Sequence, residues 1–186
     1  MTEIETFCPT CQQDWRQWLM ENHRSKQSIW LIYHKKQTQK PSISWSEAVD
    51  EALCFGWIDS TAKSIDGETY KQFFCKRKPK SVWSKVNKEK VQRFLDNDLM
   101  MPAGLESISI AKQNGSWSIL DEVEALKMPE DLATAFAAQP DAQDFFLSLS
   151  KSVQKSILQG LVLLKRVETR QKRIAEIVAR AAQKLK

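Results

Sequence analysis

The chain has 186 residues and a mass of 21.5 kDa, 42% hydrophobic and 27% charged, enough for one sizeable core or a core with a helical appendage, and far from disordered or membrane classes. The net charge of +5 is unevenly placed: residues 76–90 hold seven basic residues against Glu89 and residues 165–186 hold eight against Glu168 and Glu176, so each segment is net +6 and the rest of the chain is net −7, an acidic body with two basic segments. No apolar run approaches a bilayer span, and the opening "MTEIETFCPT" has acids where a secretory signal would be basic and then apolar, so a cytoplasmic location is expected.

Cys8, Cys11, Cys54 and Cys75 then read as reduced thiols, because disulfide frameworks belong to small secreted domains. Cys8 and Cys11 form a C-x-x-C, but a structural zinc needs four ligands and no second close pair follows. His23 lies near finger-like spacing after Cys11, whereas His34 is too far on and falls in an expected strand. No metal and no cofactor is expected.

In chain order, Trp15, Trp18 and Leu19 at helical spacing predict a short helix over 12–23, and "SIWLIYHK" at 28–35, rich in β-branched and aromatic residues, predicts a strand before the turn-prone "QTQKPS". Ser44 and Glu47 form a capping-box signature, with Trp45, Ala48, Val49, Ala52 and Leu53 on one helical face and Gly56 as the stop. Ile58–Ile65 and Glu68–Cys75 flank Asp66-Gly67, a hairpin signal, so an antiparallel sheet of about three strands is expected. A helix from Ser84 or Asn87 to Asp96 should bury Val91, Phe94 and Leu95, and another should start at Pro102 and stop at Gly115.

Pro129 and Pro140 should each open a short helix. Ser150 should cap one running to about Lys165 with Val153, Ile157, Leu161 and Leu164 inward, and a basic amphipathic helix over 168–185 carries Ile174, Ile177, Val178 and Ala181. All seven tryptophans fall at or before Trp117. The expected class is therefore α+β: a small antiparallel sheet packed with helices over 1–117, followed by an all-helical region over 118–186.

The strings "SISWSEAVDEALCFGWIDS" (42–60), "KRKPKSVWSKVNKEKV" (76–91), "MPAGLESISIAKQNGSW" (101–117), "PEDLATAFAAQPDAQDFF" (129–146) and "KRVETRQKRIAEIV" (165–178) resemble the YdeI/OmpD-associated family, also labelled bacteriocin-protection proteins. The chain departs from that pattern at Lys76 and Val167, where the family usually has prolines, and in its Cys8/Cys11 pair. The resemblance implies a link to antimicrobial-peptide tolerance or to an outer-membrane partner, and it carries over no catalytic residue.

Two stretches raise a site question. Trp57 and Asp59 stand directly behind the Gly56 stop. An indole there suits a core plug, and a carboxylate there suits bonds to nearby backbone amides. The pair lines a site instead if the helix-to-hairpin connection and the connection at 76–84 share one end of a small sheet, so that Asp59 and Lys63 face Arg77 and Lys78. In "RKPKSVWSKVNK", Pro79 holds the chain extended, Ser81 and Ser84 cap helical turns, and the free first-turn N–H groups favour an anion. Arg77 grips a carboxylate or phosphate bidentately, the lysines add point charge, and Trp83 stacks beside it. The alternative is a solvated basic loop with Trp83 buried and Ser84 or Asn87 serving only as a cap. The candidate ligand-binding set is thus Trp57, Asp59, Lys63, Arg77, Lys78, Ser81, Trp83, Ser84 and Asn87, for a small anionic ligand or a peptide or protein partner.

Walker A, G-x-G-x-x-G, G-x-S-x-G and H-E-x-x-H strings are missing. Acid–base work would fall on Asp59, Glu47 or Lys63. Cys54 lies in the last turn of its helix, where the dipole opposes a thiolate, and reads as a structural thiol. The sequence therefore favours a non-catalytic binding module, with an enzyme acting on a small anionic metabolite at the same place as the alternative. Nucleic acid is not the expected partner: no OB or RRM signature is present, and the acidic remainder repels a long polyanion, leaving weak binding as a third reading. The basic face of the last helix is suited to solvent or to anionic lipid, and no feature sets an oligomeric state.

Overall fold

The computed structural model describes residues 4–183; the last two residues of the expected C-terminal helix, 184 and 185, lie outside the described residues. The chain forms two compact units, Met1–Trp117 and Ser118–Lys186.

In the first unit the elements are β1 (Thr6–Phe7), α1 (Gln12–Asn22), β2 (Ser28–His34), α2 (Trp45–Cys54), β3 (Trp57–Ser64), β4 (Thr69–Lys76), α3 (Lys85–Asp96) and α4 (Pro102–Gln113). The strands form one sheet in the order β1-β2-β4-β3. Alternation in β2 sends Ile29, Leu31 and Tyr33 into the core and leaves Trp30 and Ile32 on the other face. Register carries this across the sheet, pairing Ile29 with Phe74 and Leu31 with Gln72 on β4. The hairpin turns at Asp66, whose Oδ1 accepts the Glu68 and Thr69 amides at 2.8 and 2.7 Å; these bonds hold its carboxyl below the usual carboxylate range. Two-residue β1 adds a parallel edge beside β2, so the sheet is mixed rather than purely antiparallel. A segment that short has no periodicity to detect.

The helices gather on one face. The capping box of α2 forms as expected, Ser44 Oγ accepting the Glu47 amide and Glu47 accepting the Ser44 amide. Ala48, Val49, Ala52 and Leu53 are buried. Trp45, expected on that stripe, is instead 52% exposed, because at the first helical position its indole reaches outward to donate to Asp59 Oδ2 at 2.9 Å. Leu95 is likewise exposed, whereas Val91 and Phe94 are buried. α1 is tied to α2 by Trp15 Nε1 donating to Ala48 O at 3.0 Å and by buried Glu51, which pairs with Arg16 and accepts from Gln12, both at 2.6 Å.

The second unit comprises α5 (Asp121–Glu124), α6 (Glu130–Ala137), α7 (Pro140–Ser148), α8 (Lys151–Val162) and α9 (Val167–Gln183), so the fold is α+β with a helical C-terminal part. α9 buries Ile174, Ile177, Val178 and Ala181 as its periodicity predicts. In α8 the inward stripe is Gln154, Leu158 and Leu161, and Val153 is exposed. Gln154 takes an inward position because its amide donates to the Leu147 and Leu149 carbonyls at 3.1 and 2.8 Å, which satisfies it without water.

The crossing of α2 and α4 is a close one. A Cβ on Gly104 would stand 2.2 Å from Cys54 O, and one on Gly56, which holds φ at +72°, would stand 2.7 Å from Ala103 O. Met101 N donates to the same Cys54 carbonyl at 3.0 Å, so the two backbones touch with no side chain between them. We expect Gly104→Ala to cost the first unit about 1–3 kcal/mol, read as a lower urea midpoint by tryptophan fluorescence, which reports this unit alone because every tryptophan lies at or before Trp117. An unchanged midpoint would show that the helices part freely here.

Candidate functional site

The glycine crossing leaves an open cleft on one side of the first unit. Its volume is about 460 Å³, and its walls come from four places: the end of α1 (His23, Arg24), the exit of α2 (Phe55–Trp57), the end of β4 and the loop after it (Lys76–Pro79), and the start of α4 (Pro102, Ala103, Glu106, Ser107, Ile110). Arg77 N donates to Gly56 O at 2.9 Å and Lys76 Nζ to Arg24 O at 2.8 Å, which stitches the first three walls together. Arg24, Lys76, Arg77 and Lys78 face a single acid, Glu106, among the lining residues, so the cleft is cationic.

Arg77 is the unusual group in it. Its guanidinium lies 3.6 Å from the centroid of the Trp83 ring, and Nη2 donates to Val82 O at 2.7 Å. Nε and Nη1 are buried and have no partner. Burial pushes the group's pKa down to about 10, against an opposing pull from the Asp59 charge. A guanidinium that loses water without gaining a carboxylate is expensive. Trp83 Nε1 is also buried and without a partner, so three unused donors cluster around one stacked pair.

The structure brings Trp57, Arg77 and Lys78 to the cleft, with Trp83 as the platform beneath Arg77. Trp57 is fully buried, however, edge-on to Trp18 at 5.8 Å, so the indole serves as a core plug that also floors the cleft. Asp59 lies on the helix-facing side of β3, and its Oδ2 accepts from Trp45 Nε1 and from Gln72 Nε2 at 2.9 and 3.0 Å. It influences Arg77 electrostatically without pairing with it. Ser84 caps α3, its Oγ accepting the Asn87 amide at 3.2 Å, and neither residue lines the cleft. Ser81 closes a turn onto Lys78 O at 2.9 Å and does not line the cleft.

Lys63 is placed elsewhere altogether. Along an unbroken strand it would share the face of Trp57 and Asp59. The register instead runs from Asp59↔Phe74 to Ala62↔Gln72, a one-residue bulge that flips everything after it to the opposite face. The Lys63 ammonium accordingly sits 5.4 Å from the Trp30 ring on the far side of the sheet.

Sequence reasoning missed the wall made by α4 and the contribution of His23 and Arg24. The string "MPAGLES" at 101–107 held a signal: a glycine at the third position of a helix opened by proline marks a close backbone approach. Cys54 is buried and its thiol is pushed up to about 11, mainly by burial, as suits a structural thiol. Cys8 Sγ lies 3.9 Å from His34 Nε2, but no group of three or more His, Cys, Asp or Glu that could hold a metal ion is found among the described residues. None of the described helices is long and apolar enough to cross a membrane.

Comparison with known proteins gives two family matches. Residues 7–107, more than half of the chain, match a domain of unknown function (DUF8412), and residues 125–184 match the family described as Bacteriocin-protection, YdeI or OmpD-Associated. No curated protein and no solved structure matches the chain. The strings at 42–60 and 76–91 that suggested the family fall within the first match, and those at 129–146 and 165–178 fall within the second. The chain thus belongs, through residues 7–107, to that domain family of unknown function, and its residues 125–184 are similar to the YdeI/OmpD-associated, bacteriocin-protection family.

Proposed function

We propose that the protein is a cytoplasmic binding module whose first unit takes the anionic group of a small ligand in the cationic cleft, within a setting of bacteriocin or antimicrobial-peptide tolerance. The observation that carries this reading is the buried Arg77 guanidinium, two of whose nitrogens, Nε and Nη1, have no partner. An anion in reach of either unpartnered nitrogen gains a charge-assisted contact in partly desolvated surroundings, and Lys76, Lys78 and Arg24 supply the surrounding positive field. Trp83 fixes the plane of the guanidinium in advance, so little freedom is lost on binding. An acid–base role has no comparable support: Asp59 is engaged by two donors and stands outside the lining of the cleft, and Cys54 is buried.

A residue kept for a ligand differs from one kept for the fold in what its loss does. Arg77→Met puts an apolar side chain of similar reach beside Trp83 and removes the unpaired charge, so the ligand-free protein is expected to be as stable as the parent or more so. With inorganic phosphate or citrate at about 100 times its dissociation constant, the parent should gain about 2.7 kcal/mol and Arg77→Met almost none, measured by fluorescence-monitored melting. A variant that is destabilised, and protected by the anions as well as the parent is, would overturn the reading.

The thiols give a second check. At pH 8 a small alkylating reagent should modify exposed Cys8 and Cys11 in the native protein and leave Cys54 untouched until denaturant is added, as mass spectrometry of the peptides would show. Rapid native labelling of Cys54 would reopen the nucleophile reading.

A further inference from the structure

The second face of the sheet has no role in the cleft. Outward from the helices, Trp30 on β2 meets Phe73 on β4, its register partner, with ring centroids 5.1 Å apart and an interplanar angle of 64°. β2 and β4 are the two central strands, so the aromatic pair sits mid-sheet. Trp30, Ile32 and Phe73 are half-buried and stand outside the core cluster. The Lys71 and Lys63 ammonium groups lie 4.8 and 5.4 Å from the centroid of the Trp30 ring. The single acid in β2, β3 and β4 is Asp59, and its register with Phe74 puts it on the opposite face. The outward face of these strands is thus aromatic, cationic and free of carboxylates.

We infer that this face binds single-stranded nucleic acid. Two aromatic rings flanked by lysines, on strands whose outward side chains include no acid, answer both halves of a nucleotide: a base stacks on Trp30 or Phe73 while the adjoining phosphates meet Lys63 and Lys71. In the free protein the lysines occupy the ring face by cation–π contact, and a base displaces them toward the phosphates. A duplex is excluded because its bases are already stacked. Glu5, whose carbonyl accepts the Trp30 amide, has its carboxylate paired with Lys26, and charges beyond about 10 Å are screened at physiological salt. The β3 bulge is essential to the arrangement, because it brings Lys63 to this face.

The test is fluorescence anisotropy with labelled 12-mers of oligo-dT and oligo-rU, and a duplex of equal length, at about 50 mM salt. The parent should bind one or both single strands and the duplex far more weakly, with a logarithmic salt slope of about −1.4 for two phosphate contacts. Preference between dT and rU identifies DNA or RNA as the source. Lys63→Glu/Lys71→Glu should lose at least about tenfold in affinity, and Trp30→Leu about tenfold. Lys151→Glu/Lys165→Glu, with the same charge change on the other unit, should lose little. The lysine variants alter side chains with no ion pair among the described residues, so they remain informative if Trp30→Leu fails to fold. Four outcomes would overturn the inference: no binding of either single strand, equal binding of the duplex, equal loss in the two lysine pairs, or a dimer in the parent that Trp30→Leu dissociates, which would make the face an interface between copies.

Discussion

The contact on which the first unit depends is the meeting of two backbones at Cys54 O and Gly104. A helix end carries carbonyls with no partner inside the helix. Here one of them receives the Met101 amide from the segment that starts α4. The price of that closeness is paid in side chains: Gly56 and Gly104 can carry none. In return, the exit of α2 and the entry of α4 are held in one place, and the loop after β4 is tied to the same point through the Arg77 amide on Gly56 O. Three distant segments thereby become walls of one cleft, with no side chain occupying the space between them.

The unit treats two buried charges in opposite ways. Glu51 is 6% exposed and fully engaged, by Arg16 and Gln12; Arg16 also lies over the Phe55 ring at 5.5 Å and donates to Leu99 O at 3.3 Å. That network is the expected solution for a charge removed from water. Arg77 is given an aromatic surface and one carbonyl, while Asp59, the acid that could answer it, is turned to Trp45 and Gln72. A fold able to satisfy Glu51 so completely had the means to satisfy Arg77. The difference lies in position, because Glu51 sits inside the α1–α2 contact and Arg77 at the edge of a cleft.

Much of this was legible in the sequence. The capping box at Ser44 and Glu47, the Gly56 stop, the Asp66-Gly67 turn and the Ser84 cap each depend on residues within three or four positions of one another, and local chemistry decides them. The hidden parts were those decided by packing at a distance. Trp45 obeys the helical period of α2 yet turns outward because Asp59, fourteen residues on, offers its indole an acceptor. Gln154 obeys no hydrophobic rule and is buried because two carbonyls await it. For the site, Arg77 and Trp83 stood out as a cation beside an indole, but Pro79, expected to hold the chain extended, instead sits in the turn that Ser81 N closes onto Lys78 O, within the six residues that separate the stacked pair. The wall from α4 was hidden because its residues are ordinary and only their closeness to Cys54 gives them meaning.

The β3 bulge decides which face each chemistry occupies. A strand alternates strictly, so Trp57, Asp59 and Lys63 would share the core face if nothing intervened. One extra residue between Asp59 and Ala62 reverses the parity of the remainder. Asp59 therefore stays among the helices, close enough to Arg77 to favour its charge, and Lys63 joins Lys71 at the Trp30 ring. Without the bulge, an ammonium would stand inside near Asp59 and compete with Arg77 for its field, while the outward face would keep a single lysine beside its aromatic pair. The acid and the lysine are thus separated by a backbone irregularity rather than by sequence distance, and that separation gives one small sheet two faces of different chemistry.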